Sequence, residues 1–84
     1  MNLWIRSQDR DELIKADNIY ITTCNEGWAI RSGIALGKYR TQERALEVLD
    51  EIEKLLKGNI LSHHINKFDI YNGENIKIYE MPKE

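Results

Sequence analysis

The 84-residue sequence predicts a small α+β domain, in which one amphipathic helix packs on an antiparallel β-meander that is followed by a C-terminal strand or hairpin. Three observations predict this fold class. One long segment has helical periodicity, several short segments before it alternate between apolar and polar residues, and a second alternating pair follows it. The length suits one core, so we expect residues 1–84 to form a single domain.

Four short segments before the helix are typical of strands. In the first segment, Leu3 and Ile5 fall on one face, whereas Trp4 and Arg6 fall on the other. The other strands are predicted at Asn18 to Thr23, Trp28 to Arg31 and Ile34 to Tyr39. The turn residues Asn25-Glu26-Gly27 and the tight loop Ser32-Gly33 would connect the last three strands into a meander.

Between the first two predicted strands, Asp9 to Glu12 has the Asp-x-x-Glu spacing of a helix capping box. In a capping box, the first side chain accepts a hydrogen bond from an amide of the first helical turn. The spacing therefore predicts a short helix over Arg10 to Ala16.

The major helix has a signal at both ends. Thr41 is the predicted N-cap, and Gly58 is the predicted stop. The apolar residues between them recur at intervals of three and four, which places them on one stripe facing the sheet. This stripe comprises Ala45, Val48, Leu49, Ile52, Leu55 and Leu56.

The segment after the helix has a weaker pattern. Residues 59–67 have no clear period, which leaves a loop and a short helical turn as alternatives. Phe68 to Tyr71 and Ile76 to Met81 flank a turn-prone segment and predict a hairpin that ends at Pro82.

Composition narrows the function classes. The 12 Lys and Arg residues are outnumbered by 14 Asp and Glu residues, so a nucleic acid polymer is not an expected partner. The single Cys24 has no internal disulfide partner, and the residues after Met1 do not resemble a signal peptide. No apolar run reaches the roughly 20 residues that cross a bilayer. These features predict a protein of the cytosol without a membrane span.

No catalytic or metal motif stands out. His63 and His64 are adjacent, so their side chains diverge and do not suit one metal ion. Cys24 has no sequence signature that joins it to a histidine, and the capping box accounts for Asp9. The glycines do not have phosphate-loop spacing. We expect neither catalytic residues nor a cofactor, and a small hydrolase using Asp9 or His64 is the weakest hypothesis.

Two groups of residues are candidates for ligand binding. Lys38, Arg40 and Arg44 surround Thr41 at the start of the major helix, where unpaired amides and the helix dipole favour an anion. The alternative is that these cations only balance nearby glutamates.

The second group is Trp4 with Arg6 on the first strand. If their face turns away from the helix, an aromatic ring beside a guanidinium would suit a nucleotide or an acidic partner. The alternative is that Trp4 is a half-buried residue of the sheet.

Three segments carry a resemblance to a known group of proteins. They are Trp4-Ile-Arg-Ser-Gln-Asp9, the block from Leu36 to Ile52, and Tyr79-Glu-Met-Pro82. In these segments the chain resembles a family of small phage and prophage proteins of Gram-positive bacteria. The resemblance spans most of the chain, and the helix block is its most specific part.

The resemblance implies a viral protein that acts inside a host cell by binding. In size and setting the chain is similar to phage sponges that sequester nucleotide immune signals, including ADP-ribose derivatives made by TIR-domain enzymes. A small anionic nucleotide-like ligand is the expected partner, and the role is anti-defence rather than catalytic. The alternative is a protein-interaction module that inhibits a host enzyme or regulator. Uncovered sheet edges also predict a homo-oligomer.

Overall fold

The computed structural model describes residues 2–57, 65–71 and 74–84, with side chains for residues 3–57 and 76–84. These residues form seven strands and one helix, arranged as two sheets around a shared core. In chain order the elements are β1 (Asn2–Arg6), β2 (Leu13–Lys15), β3 (Tyr20–Cys24), β4 (Gly27–Ser32), β5 (Ile34–Tyr39), α1 (Gln42–Leu56), β6 (Ile65–Tyr71) and β7 (Glu74–Glu80). The α+β class, the helix on a meander and the C-terminal strand are thus confirmed.

The smaller sheet is the antiparallel meander β3-β4-β5. Its second turn is tighter than expected, because Ser32 belongs to β4 and pairs with Ile34, so Gly33 alone connects the strands. Gly33 has a φ of +76°, a conformation that favours glycine. Farther along, Ile30 pairs with Gly37 and Arg31 pairs with Ala35, which leaves Leu36 as the extra residue of a β-bulge.

The larger sheet has the order β2-β1-β7-β6. The first strand is not part of the meander: β1 lies between β2, which runs antiparallel to it, and β7, which runs parallel to it. The C-terminal hairpin is present as the antiparallel pair of β6 and β7. The C-terminal strand is therefore a central strand of this sheet.

The short helix predicted over Arg10 to Ala16 does not form. The Asp9 carboxylate accepts hydrogen bonds from the Ser7 hydroxyl at 2.7 Å and from the Asp11 amide at 3.0 Å, which closes a turn. The chain then reverses into β2, where Ile14 pairs with Ile5 and packs against the core. Asp9 thus closes a turn instead of capping a helix. The segment after it forms a strand because this conformation packs Ile14 against the core.

The core lies between both sheets and α1. Its buried apolar side chains are Leu3, Ile5, Ile30, Leu36, Tyr39, Ala45, Val48, Ile52, Leu55, Tyr79 and Met81. The predicted helix stripe is correct except at its margins. Leu49 is only partly buried, and Leu56 is 54% exposed.

Gln8 joins the two sheets. Its main-chain amide donates to the Leu36 carbonyl at 2.7 Å, so the bulge in β5 faces the end of β1. The side-chain oxygen of Gln8 accepts the Lys38 amide at 2.9 Å, and its side-chain nitrogen lies 3.1 Å from the Lys38 carbonyl. The same nitrogen reaches the carbonyls of Pro82 at 3.0 Å and Lys83 at 2.7 Å. One amide therefore connects the edge of β5 to the C-terminal segment.

Several sequence-based predictions fall on residues 58–64 and 72–73, which lie outside the described residues. They include the helix stop at Gly58, the pair His63 and His64, and the turn of the second hairpin. No helix in the described part of the chain is long and apolar enough to cross a membrane.

Candidate anion-binding cleft

The start of α1 has the local structure that Thr41 predicts. Thr41 is extended, with φ −121° and ψ 153°, and its hydroxyl oxygen accepts the Arg44 amide at 3.1 Å. Thr41 is therefore the N-cap, as expected. Within the described chain, no hydrogen bond reaches the amides of Gln42 and Glu43. The first turn of the helix thus presents two unused donors at its positive end.

A cleft of about 490 Å³ opens beside this helix start. Its walls carry four cationic and two acidic side chains, together with Tyr39 and the Thr41 cap. The lining residues are Glu26, Lys38, Tyr39, Arg40, Thr41, Arg44, Lys83 and Glu84. Four of the six residues that the sequence singled out for ligand binding, Lys38, Arg40, Thr41 and Arg44, therefore meet in one cleft.

The cations of the cleft differ in how they are paired. The Lys38 ammonium lies 3.5 Å from the Glu26 carboxylate, and both side chains are largely exposed. One guanidinium nitrogen of Arg44 lies 3.2 Å from Glu47, and its Nε donates to the main-chain oxygen of Glu84 at 2.9 Å. Arg40 is exposed and makes no ion pair or side-chain hydrogen bond within the described residues. Arg40 is thus available to a ligand, as is Lys83, whose side chain is likewise exposed and unpaired within the described residues.

The pairing of Arg44 with Glu47 agrees in part with the alternative that these cations balance nearby glutamates. That ion pair spans one helical turn at the surface, where such pairs contribute little to stability. It accounts for Arg44 but leaves Arg40 and Lys83 without a described acidic partner.

Gly27 fixes one wall of the cleft. Its φ is +131°, and a Cβ at this position would collide with the Tyr39 carbonyl and lie 3.0 Å from the Arg40 carbonyl. The turn between β3 and β4 is therefore pressed against the backbone that leads into α1. This close approach places Glu26 opposite Lys38.

The opposite wall is the C-terminal segment, which Tyr39 holds in place. The Tyr39 hydroxyl donates to the Pro82 carbonyl at 2.7 Å, and the ring lies against Gly37. Burial raises the pKa of Tyr39 well above its usual value, and the positive charge of Arg44 offsets only part of this rise. Tyr39 is thus a neutral donor at physiological pH, and it positions the following Lys83 and Glu84 at the cleft.

Sequence reasoning did not find the residues that complete the cleft. Glu26, Lys83 and Glu84 come from segments far from the helix start along the chain, and no local pattern connects them to it. The Pro82 after the last strand indicated only the end of that strand.

Trp4 and Arg6 lie elsewhere. Leu3 and Ile5 are in the core, so the alternation of β1 places Trp4 and Arg6 on the opposite face of the larger sheet. Arg6 donates to the Arg10 carbonyl at 3.3 Å. Neither Trp4 nor Arg6 lines the cleft at the helix start, so the two predicted binding groups are separate surfaces.

Asp9 and Cys24, which the sequence analysis considered as catalytic residues, lie outside the cleft. The Ser7 hydroxyl, followed by the Asp11 amide, lowers the pKa of Asp9, and these two hydrogen bonds hold its carboxylate in the turn after β1. Cys24 is partly buried at the end of β3. Within the part of the chain that the structure describes, no three His, Cys, Asp or Glu residues cluster as metal ligands.

Comparison of the chain with protein families, with curated proteins and with solved structures finds no match.

Proposed function

We propose that this protein is a non-catalytic binding protein whose cleft at the start of α1 takes a small phosphorylated ligand of the nucleotide class. The observation that carries the proposal is the meeting of Lys38, Arg40, Arg44 and Lys83 in one cleft beside the capped start of α1. Amides at a helix start suit phosphate oxygens, and guanidinium groups bind them with charge-assisted hydrogen bonds.

The volume of the cleft supports a ligand larger than a single phosphate. A space of about 490 Å³ lies within the range of small-molecule sites. Glu26 and Glu84 also line the cleft, and they provide acceptors for hydroxyl groups such as those of a ribose. A ligand with both phosphates and sugar hydroxyls therefore matches the walls better than a simple anion.

The resemblance to small phage proteins leads to the biological role that we propose. A protein that holds a nucleotide immune signal in the cytosol of a host cell would deprive the bacterial immune system of that signal. Such a role needs binding without turnover, and the four cations that line the cleft support it.

Calorimetry with ADP-ribose, a cyclic dinucleotide and inorganic pyrophosphate tests the proposal. Arg40→Ala removes an exposed cation that makes no ion pair or side-chain hydrogen bond among the described residues, so it should weaken nucleotide binding by about 1–3 kcal/mol without changing the fold. Arg6→Ala is the matched control, because it removes the same group from a surface outside the cleft. Added salt should weaken binding to the wild type.

The fate of the ligand separates binding from catalysis. After incubation and heat denaturation, chromatography should return the nucleotide chemically intact. A modified nucleotide would show an enzyme, and equal losses for Arg40→Ala and Arg6→Ala would place the site elsewhere. If the wild type binds none of the three probes, the proposal is wrong, and the protein-interaction hypothesis takes its place.

A further inference from the structure

We infer that the protein forms a symmetric dimer in which the β3 strands of two copies pair antiparallel, joining the two meanders into one six-stranded sheet. This inference does not depend on the proposed function.

The edges of the sheets differ in how they are protected. In the meander, the β5 edge is bent by the bulge at Leu36 and occupied by the side-chain amide of Gln8. In the larger sheet, the β2 edge is only three residues long and ends in Lys15. Short strands, bulges and lysines are the devices by which sheet edges avoid further pairing. Each of these two edges therefore has a feature that blocks strand addition.

The β3 edge has none of these devices. It comprises five residues, Tyr-Ile-Thr-Thr-Cys, without a charge, a proline or a register shift toward β4. The aromatic side chain of Tyr20 is 39% exposed at the start of the strand. Such a strand offers a template for another strand.

The pairing with β4 determines which backbone groups of β3 point outward. Cys24 pairs with Gly27 across a two-residue loop, so these two residues form the hydrogen-bonded pair next to the turn. The hydrogen-bonded pairs then alternate, and the amide and carbonyl groups of Ile21 and Thr23 point away from β4. In the described chain, no hydrogen bond reaches them.

This arrangement is self-complementary. When two β3 strands run antiparallel about a two-fold axis at Thr22, Ile21 of each copy faces Thr23 of the other. The two outward amides and the two outward carbonyls of each copy then all find hydrogen-bond partners in the other copy. Tyr20 then lies opposite Cys24 of the partner subunit, so no like charges meet within the strand. The second copy of the chain is therefore the occupant that fits this edge.

Sedimentation of Thr23→Pro beside Thr23→Val tests the pairing. Proline removes the Thr23 amide hydrogen, which β4 does not use, whereas valine retains it. The wild type and Thr23→Val should sediment as dimers, and Thr23→Pro should dissociate at least roughly 30-fold more readily, because two interface hydrogen bonds are lost. Circular dichroism checks that each variant is folded.

A disulfide test remains informative even if Thr23→Pro does not fold. In a Cys24→Ser background, Thr22→Cys places two thiols opposite each other in a non-hydrogen-bonded pair, where the Cα separation suits a disulfide. Mild oxidation should give a covalent dimer. Ala35→Cys in the same background is the control, because it lies on the exposed part of the opposite edge and should form no covalent dimer.

Three results would overturn the inference. They are a wild-type protein that stays monomeric at high concentration, a folded Thr23→Pro variant that dimerises like the wild type, and equal cross-linking of the two cysteine variants. The second result would show that another surface forms the dimer.

Discussion

Gln8→Ala should destabilise the fold by about 2 kcal/mol, because one side chain holds three separate segments together. The side-chain amide bonds both backbone groups of Lys38 and also reaches the carbonyls of Pro82 and Lys83. At a net value near 1 kcal/mol per hydrogen bond, these four contacts would add up to a larger loss of stability than about 2 kcal/mol. The contacts with Lys38 and Lys83 are exposed, however, so water replaces part of what is lost.

Urea denaturation, followed by the fluorescence of Trp4 and Trp28, measures this loss as a lower transition midpoint. The matched control is Gln42→Ala, which removes the same amide from the exposed first turn of α1 and should change the free energy of unfolding by less than about 0.5 kcal/mol.

Gln8→Glu separates the two halves of the amide. The glutamate keeps an acceptor for the Lys38 amide, but a carboxylate has no hydrogen for the carbonyls of Pro82 and Lys83. At neutral pH this variant should be less stable than Gln8→Ala, and the difference should shrink below about pH 4, where the carboxyl gains a proton. If both variants unfold at the same urea concentration as the wild type, Gln8 does not join the sheets.

Two further predictions concern the core and its tyrosines. Ile52→Ala should lower the free energy of unfolding by roughly 2–4 kcal/mol, because residue 52 is only 1% exposed. Leu56 is 54% exposed, so Leu56→Ala should lower it by less than about 0.5 kcal/mol. Equal denaturation midpoints for the two variants would mean that α1 is rotated about its axis. Burial raises the pKa of both Tyr39 and Tyr79 above the ordinary 10.0, so the unfolded chain loses these protons first and the free energy of unfolding should fall as the pH rises above 10. Denaturation midpoints should show a shallower alkaline decline for Tyr39→Phe, and an unchanged slope would contradict this assignment.

The elements that the sequence predicted well are those that local interactions determine. Thr41 caps α1 through an amide three residues away, and the apolar stripe repeats within each turn, so both signals lie inside the segment itself. The predicted cations Lys38, Arg40 and Arg44 come from this same segment. That is why one wall of the cleft could be predicted.

The features that the sequence did not predict depend on distant contacts. Alternation in the first segment correctly gave the faces of Trp4 and Ile5, but alternation does not specify a partner, and β1 pairs with β7 rather than the meander. The Asp9 spacing fits both a helix cap and a turn, and the packing of Ile14 decided between them. The wall formed by Lys83 and Glu84 depends on both of these outcomes.

The central position of β7 has a consequence for the order of folding. The meander and α1 are contiguous in the chain, so they can form through short loop closures while the ribosome is still adding residues. The first strand can pair early with β2, but its pairing with β7 must wait for the last strand, and Gln8 bonds a residue 75 positions away. The cleft gains its final wall in this late step. Ligand binding by a nascent or truncated chain would therefore report whether synthesis has reached the last strand.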